Sequence, residues 1–273
     1  MVNDGHEGVM VRVKVVLFCG GLGTRLKEYS ETIPKPMAEI GYRPILWYLM
    51  KYYASYGHHD FVLCLGDRGA YIKRYFMNYD EYLSNDFTIR KGGDEVELFK
   101  SDISDWNITF VDTGQTSNVG QRLYAVREHL MDDEMFLANY ADGLTDLNLD
   151  HYLNWFQNTG HIASFLSVIP SATFHPVMAD QEGTVKAISS AKDAELWVNG
   201  GFFAFRREIF DYMRPGEELV EAPFQRLIEK RLLGVNRYRG FWQQMDTFKD
   251  KITYDRMEAQ GKCPWMLWRK NGC

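Results

Sequence analysis

Gly20, Gly21 and Gly23 fall within four positions, directly after the apolar, β-branched run 13–18, and Thr24 and Arg25 follow them. Glycine lets the backbone turn through positive φ and brings bare N–H groups close to a ligand. A glycine turn at a strand end is therefore either a polyphosphate cradle or an ordinary tight turn. Ten residues past Arg25, Lys35 stands between Pro34 and Pro36. A proline on each side fixes the chain, which aims one cation at a phosphate instead of leaving it solvated. Asp142 follows the apolar run Met135–Tyr140 and precedes Gly143. A carboxylate just past a strand end is either a turn aspartate or a ligand for a phosphate-bound Mg2+. Asp246, in Gly240-Phe241-Trp242-Gln243-Gln244-Met245-Asp246-Thr247, is either a second such ligand or the N-cap of the helix after it. Together these residues supply what nucleotidyl transfer requires: donors for a triphosphate, a lysine and two acidic metal ligands.

Those side chains need a scaffold that brings strand ends together, and the pattern supplies one. Runs 13–18, 61–65 and Met135–Tyr140 read as buried parallel strands. Pro44 opens a helix at its first position and Gly57 closes it, with Ile45, Leu46, Leu49 and Tyr53 as the apolar stripe. Residues 70–78 and 121–130 read as further helices. The alternation of strand and helix predicts an α/β fold, a doubly wound, mostly parallel Rossmann-like sheet with ligands at the carboxyl ends of its strands. Between the halves, 87–89, 96–99 and 108–111 are short strand candidates separated by polar turns, an antiparallel excursion over 77–112. Its aromatic content, Tyr79, Tyr82, Phe87, Phe99 and Trp106, is either ordinary core or a subunit contact, with the contact slightly favoured. The organisation expected is a loose leader at 1–11 and one domain over 12–273, with an acceptor-binding region toward the C-terminus.

The chain of 273 residues carries a net charge of −6, which argues against a nucleic-acid partner. It has no apolar run long enough to cross a bilayer and no signal-peptide pattern, so no membrane partner and a cytoplasmic location are expected. The four cysteines lack metal-ligand spacing, and Cys19 and Cys64 sit in apolar strands as buried thiols.

The string G-G-x-G-T-R-L…P-K-P resembles the signature of the sugar-1-phosphate nucleotidyltransferases. The segment from Tyr140 to Asn148, Y-A-D-G-L-T-D-L-N, is similar to Y-G-D-G-V-A-D-L-D of the glucose-1-phosphate cytidylyltransferases. Asp112-Thr113-Gly114 followed by Gly120-Gln121-Arg122-Leu123 is similar to D-T-G…G-G-R-L of that group. Asn199-Gly200-Gly201-Phe202-Phe203, the Gly240–Thr247 segment and Gly261-Lys262-Cys263-Pro264-Trp265 resemble its N-G-G-F-F, G-F-W-x-x-M-D-T and G-K-A-P-W. The resemblance spans nearly the whole chain. It implies transfer of CMP from CTP to a phosphorylated acceptor, with Mg2+ on Asp142 and Asp246, and a homo-oligomer. By the same resemblance Gly20, Gly21, Gly23 and Thr24 cradle the nucleotide, Arg25 meets the departing phosphates and Lys35 neutralises charge at the α-phosphate. Thr113, Gly114, Gly120 and Arg122 lie near the base.

Two departures fall in the acceptor half. The family's F-x-E-K-P lysine is missing before Asn199, where Ser189-Ser190-Ala191 stands, and Lys192 is the nearest cation. The family's R-F-G-A-L is replaced by Thr173-Phe174-His175-Pro176-Val177. Acceptor contacts are expected from His175, Lys192, Asn199 and Gly200. The acceptor is glucose 1-phosphate by default, giving a CDP-linked precursor for capsule or lipopolysaccharide. The departures point instead to a different sugar phosphate or an amino-acid phosphate, with weak turnover of glucose 1-phosphate. A nucleotide-binding subunit without catalysis is a third reading, opposed by the intact Lys35, Asp142 and Asp246.

Overall fold

The computed structural model describes residues 12–21, 33–170, 175–190 and 193–269. In chain order its strands and helices are β1 (Val15–Phe18), β2 (Glu39–Ile40), β3 (Arg43–Pro44), α1 (Ile45–Ser55), β4 (Asp60–Leu65), α2 (Gly69–Met77), β5 (Phe87–Arg90), β6 (Glu95–Leu98), β7 (Asn107–Asp112), α3 (Val119–Ala125), β8 (Met135–Tyr140) and β9 (Gly143–Thr145). The second half adds α4 (Leu149–Gln157), β10 (Ala163–Val168), β11 (Val177–Ala179), β12 (Val185–Ile188), β13 (Val198–Asn199), β14 (Phe203–Arg206), α5 (Ala222–Glu229), β15 (Leu233–Tyr238), β16 (Trp242–Gln244) and α6 (Phe248–Ala259).

An eight-stranded sheet forms the centre. β1 lies between β4 and β8, parallel to both, and β7 extends the parallel set beyond β4. β14 joins β8 antiparallel, β10 follows antiparallel, and β15 closes that edge parallel to β10. β1 reads as a continuous apolar run because both sheet faces are covered. Leu17, Leu63 and Leu137 face a core that includes α1, and Val16, Val62 and Ala138 face one built with α3 and α5. The doubly wound, mostly parallel sheet is therefore present.

Three local expectations are corrected. Residues 108–111 belong to β7, parallel to β4 in the main sheet, and only β5 and β6 pair antiparallel as a separate hairpin. A short strand pattern carries no information about direction, so the two kinds of strand look alike in sequence. Pro44 precedes α1 as its N-cap and does not occupy its first turn. The helix expected over 121–130 is two pieces: α3 ends at Ala125 and a 3-10 turn covers Arg127–Leu130.

Candidate active site

The carboxyl ends of β1 and β8 open into a cavity of about 230 Å³, lined by Gly20, Gly21, Lys35, Tyr140, Asp142 and Asp246 among others. Pro34 is extended, and Pro36 lies inside the 3-10 turn Lys35–Met37, where Met37 N–H donates to the Pro34 carbonyl at 2.8 Å. Pro36 and Met37 are buried, so the turn is anchored through them and Lys35 is free to reach into the cavity.

Lys35 Nζ contacts a carboxylate oxygen of Asp142 and one of Asp246. Two acidic side chains 104 positions apart by number thus converge on one point. Burial pulls the Lys35 ammonium down, but Asp142 and then Asp246 outweigh it, and its pKa is raised above the ordinary lysine value. The ammonium is charged at every physiological pH.

A two-stranded ribbon brings the carboxylates together. β9 pairs antiparallel with β16, Gly143 opposite Gln244 and Thr145 opposite Trp242. Met245 N–H donates to the Asp142 carbonyl at 2.8 Å, which carries the ladder to the residue beside Asp246. Gln244 Nε2 donates to Asp142 Oδ1 at 3.1 Å and leaves Oδ2 to Lys35. Thr247, not Asp246, caps α6, in a capping box with Asp250. Asp250 also accepts from Asp246 N–H at 3.1 Å, so the Asp246 backbone is fixed while its side chain is left for the cavity. Beneath the ribbon, buried Trp265 of the G-K-C-P-W segment packs against Phe241 and Tyr254, at ring distances of 5.7 and 5.2 Å.

Two carboxylates aimed at one cation position suit a divalent metal of the Mg2+ type. Mg2+ is commonly held by one or two protein carboxylates, with phosphates and water completing its shell. Among the described residues no cluster of three acidic, histidine or cysteine side chains is large enough to hold a metal without such help.

Of the expected nucleotide contacts, Gly20 and Gly21 line the cavity, and Gly23, Thr24 and Arg25 lie outside the described residues. Gly20 and Gly21 are not among the positive-φ glycines. Glycine is required at 20 for closeness: a Cβ there would stand 2.2 Å from the Arg122 guanidinium. Arg122 is 1% exposed and lies behind the turn. It donates to the Leu65 carbonyl at 3.0 Å and to Thr113 Oγ1 at 2.7 Å, and burial lowers its pKa. Thr113 donates in turn to the Leu65 carbonyl. Gly114 takes φ +93 in the turn after β7, and Gly120 sits in the first turn of α3 against the Glu217 backbone.

On the acceptor side, Asn199 donates to the Tyr140 hydroxyl at 3.4 Å, and Tyr140 lines the cavity. The Gly200 carbonyl accepts from Trp242 Nε1 at 2.8 Å, tying this segment to the ribbon. His175 is exposed at the root of the β11–β12 hairpin, and Lys192 lies outside the described residues. Sequence reasoning gave no role to Tyr140, Gln244 or Val119. Tyr140 and Gln244 sit inside the family-like motifs, each two residues before an expected metal ligand. Val119 carries no chemical signal.

A family model described as "Nucleotidyl transferase" matches residues 14–243. The "Glucose-1-phosphate cytidylyltransferase" of Salmonella typhi is 36% identical over 258 residues, 94% of this chain and 100% of the relative. The "Probable glucose-1-phosphate cytidylyltransferase" of Bacillus subtilis is 35% identical over the same shares. Among solved structures, apo-UDP-glucose pyrophosphorylase superposes with a TM-score of 0.68 at 15% identity, over 93% of this chain and 100% of that one. A putative glucose-1-phosphate thymidylyltransferase from Bacillus anthracis gives 0.65 at 14% identity, over 90% and 94%.

Proposed function

Because this chain belongs to the nucleotidyl transferase family, we propose that it is a cytidylyltransferase that joins CMP from CTP to glucose 1-phosphate. An oxygen of the acceptor phosphate forms a bond to the α-phosphorus of CTP. The bond from that phosphorus to the bridging oxygen breaks, and pyrophosphate leaves with the electron pair. The nucleophile is already an anion, so no protein base is needed, and the protein's part is positioning and charge neutralisation. The observation that carries this reading is the convergence of Asp142, Asp246 and Lys35 at one point of the cavity. Asp142 and Asp246 would hold Mg2+, which when bound neutralises charge on the phosphates and orients the reacting groups. Lys35 supplies positive charge to the α-phosphate. Gly20 and Gly21 offer main-chain N–H donors to the phosphates, and Arg122 keeps their turn in place from behind. Thr24 and Arg25, Thr113, Gly114 and Gly120 complete the nucleotide site in this reading, and Asn199 and Gly200 the acceptor site.

CTP is assigned from the D-T-G…G-Q-R-L pattern and from relatives named cytidylyltransferases that match 94% of the chain. The product is a CDP-linked sugar of the kind used in surface polysaccharide. A homo-oligomer is part of the same reading, supported by Leu83, Ile89, Val96 and Phe99, which stand exposed around the β5–β6 hairpin. Among the described residues no helix is long and apolar enough to cross a membrane.

A second reading keeps CTP and changes the acceptor to another sugar phosphate or an amino-acid phosphate. Ser189-Ser190-Ala191 in place of the E-K-P cation favours it. Pyrophosphate release measured with each common nucleoside triphosphate against a panel of phosphorylated acceptors tests both. Turnover of CTP with glucose 1-phosphate is the expected result. Turnover with another acceptor alone supports the second reading, and turnover of UTP equal to CTP removes the assignment of the base.

A further inference from the structure

The ribbon that presents the two metal-binding carboxylates has an aspartate at each end. Asp142 stands at the cavity end, and Asp146 stands at the other, just past β9. Asp146 lies in the Y-A-D-G-L-T-D-L-N segment. Its backbone and side chain both hold the residue that enters β16. Asp146 N–H donates to the Phe241 carbonyl at 3.2 Å. Asp146 Oδ1 accepts from Phe241 N–H at 2.7 Å and from the Tyr238 hydroxyl. Thr145 Oγ1 adds a second donor to the Phe241 carbonyl at 2.8 Å. One carboxylate oxygen thus gathers the end of β15 and the start of β16.

The pairing itself is only three residues long, Trp242 to Gln244 against Thr145 to Gly143. A ladder this short is poorly defined by its own hydrogen bonds, and a slip of one residue would turn every side chain to the opposite face and carry Asp246 about 3.3 Å along the strand. Asp246 contributes to the reaction centre only in the observed register, with Met245 N–H on the Asp142 carbonyl. Asp146 and Phe241 continue the ladder by one step at one end, as Asp142 and Met245 do at the other.

We propose that Asp146 is a positioning residue for the metal centre: it pins the β9–β16 register from the far end and so sets the place of Asp246 relative to Asp142. This rests on the cytidylyltransferase reading. Mg2+ demands near-ideal octahedral geometry, so loosening the register weakens cation binding before it weakens the fold.

The test uses the full chain as wild type, Asp146→Ala, Asp146→Asn and Tyr238→Phe. Mn2+ is titrated in the presence of α,β-methylene-CTP and read by electron paramagnetic resonance. Mg2+ activation of turnover and thermal melting are measured beside it. Asp146→Ala is expected to weaken Mn2+ binding and to raise the Mg2+ needed for half-activation, each by about tenfold. At saturating metal its KM for CTP stays within about twofold of wild type. Asp146→Asn keeps an acceptor for Phe241 N–H and is expected to recover most of the loss. Tyr238→Phe removes one donor, leaves the carboxylate and is expected to show a smaller defect of the same kind, which keeps the test decisive if the alanine variant does not fold. Wild-type Mn2+ affinity in Asp146→Ala and Tyr238→Phe overturns the pin and leaves the cytidylyltransferase reading standing. Equal defects in Asp146→Ala and Asp146→Asn, with melting lowered in both, reduce Asp146 to a stability residue and also overturn it. A wild-type chain that neither binds Mn2+ with the nucleotide analogue nor releases pyrophosphate fails the parent reading itself.

Discussion

The residues proposed for the nucleotide and those proposed for the acceptor are held to different standards. At the nucleotide end, Lys35, Asp142 and Asp246 leave main-chain ladders or a proline-bounded turn within one or two residues, and their neighbours Pro36, Met37 and Met245 are buried. On the proposed acceptor side, His175 does not line the cavity and precedes the β11–β12 hairpin, a sheet of its own in which every residue of both strands is exposed. The contrast matches the sequence, where nucleotide motifs are intact and acceptor motifs depart from the family. Side chains held by shared ladders are constrained together, because moving one moves its partner. A hairpin with its own pairing can change without moving Asp142 or Asp246, which would let the acceptor side vary while the proposed metal ligands stay in place.

The largest effect expected from this comparison is at Asp142. Asp142→Asn should lower kcat by about a hundredfold or more while leaving the melting temperature near that of wild type, since the side chain acts mainly on charge in the transition state. Full activity in that variant would break the comparison at its stronger side. The next effect is at the acceptor end. His175→Ala should raise the acceptor KM by roughly ten- to a hundredfold, the worth of one charge-assisted bond, and leave the KM for CTP unchanged. A matching change in the KM for CTP would show that the ends are coupled and that the hairpin is not independent.

The difference in legibility follows the same line. Lys35 and Asp142 were readable because their signals are local: prolines on both sides, a strand run and a following glycine. Asp246 was readable as one of two alternatives, and the choice lay in Thr247, whose hydroxyl takes the cap. Gly20 was readable as a cavity residue but not for its φ, since what demands glycine there is the Arg122 side chain of α3. The register role proposed for Asp146 depends on Phe241 and Tyr238, which are distant in sequence and adjacent only through the ribbon. The parallel alternation predicted the sheet, but direction was invisible at β7, where the strand is short and the partner is β4. The expectations for Gly23, Thr24, Arg25 and Lys192 fall outside the described residues.

The smallest effect on activity is expected where the nucleotide end meets the rest of the sheet. His58 is buried and accepts at Nδ1 from Val13 N–H, two residues before β1. Burial, with a smaller contribution from His59, lowers its pKa to about 4. The folded protein holds this imidazole neutral, while the unfolded chain takes up a proton below about pH 6.5. Stability is therefore full above that value and falls as pH drops toward 4, by about 3 kcal/mol for this group. Denaturant unfolding across pH 4–7 should show a steeper acid loss in the wild type than in His58→Gln, with kcat at pH 7.5 alike in both. Equal slopes would remove His58 as the source and sharpen the comparison by clearing the sheet base of acid sensitivity.

The placement of Lys35 between Asp142 and Asp246 has an operational consequence. An ammonium paired with both carboxylates already holds the point at which they would share a divalent ion. Lys35 vacates it readily only when another anion receives the ammonium, and a triphosphate entering the cavity is such an anion. In the proposed site the lysine would then act as a coincidence detector: free cation alone would meet an occupied seat, nucleotide alone would have to draw the lysine from two carboxylates, and both together would exchange partners with little net change in charge. Lys35→Gln should accordingly bind Mn2+ more tightly than the wild type when no nucleotide is present, the opposite of what losing a binding residue usually does.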